Sequence, residues 1–78
     1  MNMTLKEIKI GGSAIIAAVR GEGRLRNRLL DMGLTPNTAI VKSKAAPTGD
    51  PIQISVRGYE LTLRNEDADF IDVQEVGK

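Results

Sequence analysis

Three arginines in one short stretch of this 78-residue sequence could do the most chemistry. The stretch "RLRNRLLDMGLTP", residues 24–36, carries Arg24, Arg26 and Arg28 together with Asp31. Guanidinium groups bind phosphate and carboxylate groups well, so the stretch could clamp a nucleic acid or dock on an acidic partner. It could equally form one wall of a small core, with the arginines in solvent.

The residue types that dominate enzyme catalysis are missing. The sequence contains no cysteine and no histidine. This excludes disulfides, the nucleophile–histidine pairs of serine and cysteine hydrolases, and the usual Cys/His zinc sites. No serine lies in a Gly-x-Ser-x-Gly elbow. We therefore expect a protein that is not an enzyme and that requires no cofactor.

The one dense acidic group consists of Glu66, Asp67 and Asp69. Paired carboxylates could act as acid and base, or they could hold a hard cation. The group also fits a capping turn that faces solvent. Because transition-metal sites usually include imidazole, we expect no metal site in the chain.

The charge is divided unevenly along the chain. Residues 1–44 hold eight Lys/Arg against three Asp/Glu, a balance of +5, whereas residues 45–78 hold three against seven, a balance of −4. A positive surface around the arginines would suit an acidic partner, although mixed charge also serves solubility. No apolar run approaches the roughly 18 residues of a membrane span, and no signal peptide is evident. These features favour a cytoplasmic protein without membrane insertion.

Nucleic-acid binding is the main alternative to a protein partner. A basic patch could form from six residues: Arg20, Arg24, Arg26, Arg28, Lys42 and Lys44. Proteins that bind single strands also need stacking aromatic side chains. The sequence offers only Tyr59 and Phe70, and both fall at expected core positions. Nucleic acid is therefore the less favoured partner.

The arginine stretch is expected to form a helix over residues 24–32. Leu25, Leu29 and Met32 recur at i, i+4 and i+7, which is one stripe of a 3.6-residue repeat. Gly33 stands where a left-handed C-cap belongs, and a proline three residues later prevents continuation. So short a helix is stable only when it is docked on another element.

The remaining apolar patterns predict a sheet. Strands are expected at residues 13–19, 38–44, 52–56, 59–63 and 70–76. The spacing of Thr4 and Glu7 predicts a short helical turn before them. Five short strands in so small a chain most simply close into a barrel, because closure removes free edges. We predict a mainly β fold, a small five-stranded barrel with one helix packed on it, in a single domain over residues 1–78.

The clearest local signal is a hairpin with a two-residue turn at Arg57-Gly58. Pairing outward from this turn places every apolar residue on one face. The expected apolar pairs are Val56 with Tyr59, Ile54 with Leu61, and Ile52 with Leu63.

Two leucines lie off the core stripe of the predicted helix. Leu30 is about 140° round the helix from Leu25, and Leu34 follows the glycine. They could broaden the core face, or form an apolar patch beside the arginines that suits a protein surface. Arg28 could also pair with Asp31 in solvent. The predicted partner-binding residues are Arg24, Arg26, Arg28, Leu30, Met32, Gly33 and Leu34.

Three motifs in order resemble the FeoA family of bacterial ferrous iron transport. They are "R-x-R-L-L-D-M-G-L-x-P" at 26–36, "A-A-P-x-G-D-P-I" at 45–52 and "R-G-Y-x-L-x-L-R" at 57–64. Arg26, Arg28, Leu29, Met32, Gly33 and Leu34 match the family's helix signature, and Gly58, Tyr59 and Leu61 match its hairpin signature. Asn37 departs from the glycine that the family often has after the proline.

The resemblance implies an SH3-like β-barrel with an added helical element. It also implies a cytosolic accessory or regulatory protein that acts on FeoB, a membrane permease with a cytosolic GTP-binding domain, by protein–protein interaction. Assembly of two or more copies is left open. The alternative function is that of a small RNA- or ribosome-associated SH3-like barrel.

Overall fold

A computed structural model describes residues 3–76, and the predicted domain limits at residues 1 and 78 lie outside this range. In chain order the elements are β1 (Met3–Thr4), a 3-10 turn (Leu5–Glu7), β2 (Ser13–Val19), α1 (Gly23–Asp31), β3 (Ala39–Ala45), β4 (Ile52–Val56), β5 (Tyr59–Leu63), α2 (Asn65–Ala68) and β6 (Ile71–Glu75). The strands form one antiparallel sheet in the order β1-β6-β2-β3-β4-β5. The predicted β class with one main helix is confirmed.

The predicted strand number was wrong by one. The sixth strand, β1, is only two residues long, and it pairs Met3 with Val73 and Thr4 with Asp72 of β6. Two residues cannot show an alternating apolar pattern. Strand β1 can therefore be recognised only by its pairing with β6, which is distant in the sequence. The short turn that follows was predicted, and its Thr4 N–H donates to Glu7 Oε1 at 2.8 Å.

The sheet wraps around one apolar core to which every element except β1 contributes buried side chains. The fully buried large residues are Leu5, Ile8, Ile16, Leu29, Leu34, Ile40, Ile52, Ile54, Val56, Ile71 and Val73. Register shifts in β2 (between Ile16 and Ala18) and in β3 (between Lys42 and Lys44) interrupt the ladders. Such bulges bend a strand and raise its twist, which helps so small a sheet to curl.

The hairpin formed by β4 and β5 has the predicted register, from Ile52 opposite Leu63 to Val56 opposite Tyr59. Both turn residues have positive φ, 51° at Arg57 and 87° at Gly58. Positive φ at both central positions is the signature of a type I′ turn, whose twist matches that of the flanking strands.

Both helices are short: α1 has nine residues and α2 has four. Neither of these helices within residues 3–76 has the length and apolar character needed to cross a membrane. Helix α1 therefore depends on its packing against the sheet, as expected for a helix of this length.

Candidate partner-binding surface

One face of α1 is docked on the core, and the arginines occupy the rest of its surface. Leu29 has no solvent exposure, and Leu25 and Met32 are half-buried against the core. The predicted stripe is therefore confirmed. Because that stripe uses the inner face of the helix, the side chains of Arg24 and Arg26 are left exposed.

The three arginines of α1 differ in how they are held. Arg28 Nη2 donates to Asp67 Oδ2 in α2 at 2.9 Å, so its partner is a distant residue and not Asp31. Arg26 Nε donates to the carbonyl of Val19 at 3.3 Å. Within residues 3–76, Arg24 forms no hydrogen bond or ion pair, so its charge is fully available to a partner.

The end of α1 is a Schellman motif, and this overturns one predicted contact residue. Leu34 N–H donates to the carbonyl of Leu29 at 3.2 Å, and Gly33 N–H donates to that of Leu30 at 3.0 Å. Gly33 has φ of 95°, as this motif requires. The motif turns Leu34 back onto Leu29, and Leu34 has no solvent exposure. The prediction that Leu34 contacts a partner was therefore wrong, and Leu30 is half-buried against the core.

The tip of the β4–β5 hairpin holds the end of α1, a contact that sequence reasoning missed. Tyr59 Oη donates to the carbonyl of Met32 at 2.5 Å. A Cβ on Gly33 would lie 2.6 Å from the same oxygen. Tyr59 is 46% exposed and not in the core as predicted, because its hydroxyl binds the exposed end of α1. The "R-G-Y" motif was the only sequence signal for this contact.

The segment after α1 is fixed from the same hairpin. Arg57 Nη2 donates to Thr35 Oγ1 at 3.2 Å and to Thr38 Oγ1 at 3.1 Å. Asn37 has φ of 71°, and its N–H donates to the carbonyl of Ile16 at 2.7 Å. Asparagine tolerates this region, so the turn survives without the glycine of the family pattern.

We define the helix–hairpin surface as a set of exposed and half-buried residues of α1, its C-terminal end and the hairpin tip. They are Arg24, Arg26, Arg28, Leu30, Met32, Arg57 and Tyr59. Charged, apolar and aromatic side chains of α1 and of the hairpin tip thus contribute to one side of the molecule's exposed surface, and the Tyr59 hydrogen bond joins the two elements. Such a surface can bind a protein partner, and it offers no nucleophile or acid–base pair.

The six-residue basic patch is not formed. Lys42 is buried, with 7% exposure, and its Nζ donates to the carbonyl of Lys6 at 3.2 Å. Burial lowers the pKa of Lys42 from its ordinary value. Arg20 Nε is bound to Asp72 at 3.0 Å.

The second aromatic residue is also outside the core. Phe70 is 36% exposed, so the prediction of a core position was wrong. The guanidinium carbon of Arg20 lies 5.9 Å from the centre of its ring. Phe70 follows α2 directly, in the turn before β6, so it packs against Arg20 and not between the layers of the core.

Of the three acidic residues Glu66, Asp67 and Asp69, Asp67 is the one whose carboxylate is bound within the described part of the chain. Asp67 is held by Arg28, as described above, and the C=O of Asp69 accepts a hydrogen bond from Arg20 Nη2. In the described part of the chain, no three acidic side chains converge into a group that could hold a metal ion.

Comparison with known proteins identifies similar sequences and folds. The sequence model of the FeoA domain matches residues 3–75. The Fe(2+) transport protein A/Fe(2+) transporter FeoB fusion protein of Porphyromonas gingivalis is 38% identical over 72 residues, which are 92% of this chain and 8% of that protein. The chain thus corresponds to a small part of the fusion protein.

Solved structures share the fold over almost the whole chain. The FeoA-like protein of Clostridium acetobutylicum has a TM-score of 0.92 at 32% identity, covering 99% of this chain and 90% of that one. FeoA of Stenotrophomonas maltophilia, described as an SH3 domain protein, has a TM-score of 0.82 at 24% identity, covering 92% and 89% of the two chains. The predicted SH3-like fold is confirmed.

Proposed function

Since the chain belongs to the FeoA domain family, we propose that it is a cytosolic accessory protein of ferrous iron transport that acts by binding the permease FeoB. The observation that carries the proposal is the Porphyromonas gingivalis relative, in which the two proteins form one polypeptide. Fusion holds two partners at high effective concentration, so separate chains with the same roles need an interface of their own.

The proposed mode of action is binding and not catalysis. The chain has no cysteine or histidine, and the residues of the helix–hairpin surface are suited to contact. A protein that only binds can regulate transport if it binds one conformation of FeoB more tightly than another, because only differential affinity shifts an equilibrium.

The helix–hairpin surface is the proposed contact. Arginine and tyrosine are enriched among the residues that contribute most to protein interfaces. Arg24 is the strongest single candidate, because it is the arginine of this surface that forms neither a hydrogen bond nor an ion pair within residues 3–76. Leu30 and Met32 add half-buried apolar area at the other end of the helix. Leu34 is excluded from the contact, since it lies in the core.

The test is binding of purified FeoB to the wild-type protein and to two charge-reversal variants. Arg24→Glu changes the proposed surface, and Lys44→Glu makes the same change on an exposed residue of β3. We expect Arg24→Glu to weaken binding by about tenfold or more, because reversal of an interface charge also introduces repulsion. Lys44→Glu should bind like the wild type.

Two outcomes would contradict the proposal at different levels. Equal binding by a folded Arg24→Glu variant would remove the helix–hairpin surface from the contact. Failure of the wild-type protein to bind FeoB in any nucleotide state would overturn the function itself.

A further inference from the structure

An apolar groove crosses the outer face of the sheet. Residues along β2 and β3 alternate between the core and solvent, and Ile15 and Val41 lie on the solvent side with 39% and 37% exposure. Ala39 is paired with Ile15 and is exposed on the same face. Val76 follows the end of β6 and is 48% exposed. The groove that these side chains line has a volume of about 440 Å³, which lies within the usual range of about 300–1,000 Å³ for binding sites.

Paired strands, and not loops, form the floor of this groove. Val41 lies between Ser13 of β2 and Ser55 of β4, and all three residues line the groove. The N–H of Val76 donates to the carbonyl of Ser13 at 3.0 Å. The floor is therefore formed before anything binds, so a ligand would not have to supply the free energy needed to order the backbone.

Arg57 supplies positive charge to the groove on the β4 side. Of the described residues that line the groove, Arg57 alone is charged. Its Nη2 donates to the hydroxyls of Thr35 and Thr38, and it forms no ion pair within residues 3–76. The N–H groups on Nε and Nη1 remain available to donate to a carboxylate, which a guanidinium binds strongly. The groove thus suits an apolar ligand that carries a carboxylate.

The acidic residue on the neighbouring strand does not neutralise this charge. Glu60 lies opposite Ser55 on β5, and its Oε1 accepts a hydrogen bond from Gln53 Nε2. The carboxylate of Glu60 is therefore bound to Gln53 and not to Arg57. This leaves the guanidinium of Arg57 for a ligand.

Two features connect the groove with FeoB, so the inference rests on the proposed function. Arg57 belongs both to the groove and to the helix–hairpin surface, which makes the two surfaces continuous. In addition, the start of β1 and the end of β6 lie at the same end of the sheet, because Met3 pairs with Val73 in antiparallel strands, and Val76 lines the groove there. The matched part of the Porphyromonas gingivalis relative is 8% of that polypeptide, so the rest of it continues from ends that correspond to these.

We propose that the groove binds an apolar segment of FeoB that carries a carboxylate. Apolar side chains of this segment pack on Ile15, Val41 and Val76, and the carboxylate binds Arg57. The contact with FeoB then extends from the helix–hairpin surface onto the outer face of the sheet. Burial of the apolar side chains supplies affinity, and the ion pair fixes the orientation of the segment.

The test is binding of purified FeoB to the wild-type protein and to variants with the same type of change. Val41→Asp places a carboxylate in the groove, whereas Ile10→Asp places one on an exposed apolar residue outside it. We expect Val41→Asp to weaken binding by about tenfold or more, because it removes an apolar contact and repels the carboxylate of the ligand. Ile10→Asp should bind like the wild type. Val76→Asp repeats the change in the groove beyond the last strand, where the pairing of strands is not disturbed.

Two substitutions of Arg57 test the carboxylate. Arg57→Gln removes the positive charge and Arg57→Lys keeps it, while both remove the guanidinium that binds Thr35 and Thr38. Arg57→Gln should weaken binding by about fivefold or more, and Arg57→Lys by clearly less, because an ammonium still attracts a carboxylate. A purely structural role of Arg57 predicts equal losses.

Three results would overturn the inference while leaving the proposed function intact. The first is equal binding of FeoB by the wild type and by folded Val41→Asp and Val76→Asp variants. The second is an equal loss of binding for Arg57→Gln and Arg57→Lys. The third is a wild type that sediments at twice its mass of 8.4 kDa and a Val41→Asp variant that sediments at 8.4 kDa, which would assign the groove to a second copy of the chain. Failure of the wild type to bind FeoB at all is a separate outcome, which overturns the proposed function and this inference with it.

Discussion

Gly33 is where a single residue decides whether helix and hairpin can meet. Its φ of 95° lies in the region that residues with a side chain rarely adopt. In addition, a Cβ there would lie 2.6 Å from Tyr59 Oη, a distance that forces something to move. A Cβ at position 33 would therefore be unfavourable for two separate reasons, the backbone conformation and the contact with Tyr59.

A Gly33→Ala substitution should lower the free energy of unfolding by about 2 kcal/mol or more, since the left-handed region alone costs roughly 1–2 kcal/mol for a residue with a Cβ. The measurement is urea denaturation of the variant and of the wild type. Gly58→Ala is the matched control, because Gly58 has φ of 87° and a Cβ there would meet nothing within 4 Å. Gly58→Ala should lose only the part of the free energy of unfolding that comes from the positive φ.

Removal of the tyrosine hydroxyl tests the contact itself. In a Tyr59→Phe background, Gly33→Ala should cost about as much as Gly58→Ala, because the clashing oxygen is gone. Equal losses for the two alanine variants in the wild-type background would show that the clash contributes nothing.

Lys42 makes folding sensitive to pH at the alkaline end. Burial lowers the pKa of Lys42 in the folded chain below the ordinary 10.5. At pH values between the folded pKa and 10.5, Lys42 is therefore mostly protonated in the unfolded chain and mostly deprotonated in the folded chain. Stability rises with pH where the unfolded state binds more protons. The free energy of unfolding of the wild type, relative to that of Lys42→Met, should therefore increase as the pH rises toward 10.5. Urea denaturation of both proteins over this pH range would check it, and a difference between the two midpoints that does not change with pH would contradict it.

At the scale of elements, the C-terminal end of α1 contributes more to the stability of the helix than its N-terminal end. No side chain caps the N-terminus of α1, whereas its C-terminus has the Schellman bonds and the buried pair Leu29 and Leu34. A nine-residue helix would be marginal by itself, so this end anchors it to the sheet.

Truncation of Leu34 should be costly for that reason. Leu34→Ala is expected to lower the free energy of unfolding by about 2–5 kcal/mol, the usual range for a fully buried leucine. Leu30→Ala should cost clearly less, since Leu30 is only half-buried. Thermal and urea unfolding of both variants would check this order, and the reverse order would contradict the assignment of Leu34 to the core.

Local patterns were sufficient to predict elements but not all of their contacts. The helix and the β4–β5 hairpin were predictable because their apolar spacing and turn residues are contained within short windows. The exposure of Tyr59 was not, because it depends on how the hairpin meets α1. The same holds for Arg28, whose partner Asp67 lies 39 residues away. The burial of Leu34, in contrast, follows from the local Schellman motif at Gly33, and the prediction overlooked it.

For the whole molecule, the uneven charge of the sequence does not produce two separate poles. Strand β6, from the acidic half, lies between β1 and β2 from the basic half. The ion pair of Arg20 with Asp72 and that of Arg28 with Asp67 join the two halves directly. Sequence balance over long segments therefore predicted little about the surface, because the sheet interleaves residues that are far apart in the chain.

The strand order explains what remained beyond prediction at this scale. No short segment of the sequence indicates that the last strand, β6, lies between β1 and β2. Strand β1 in turn is formed by its pairing with β6. A barrel could be proposed from the number of strands, whereas its connectivity depends on long-range pairing.

That arrangement also brings the start and the finish of the described chain side by side, since Met3 stands directly across from Val73. A module whose two ends emerge together can be appended to a larger polypeptide, or inserted into one of its loops, through a short tether and without rebuilding its ladder. This architecture therefore suits a domain that can exist either as a separate chain or fused to another protein.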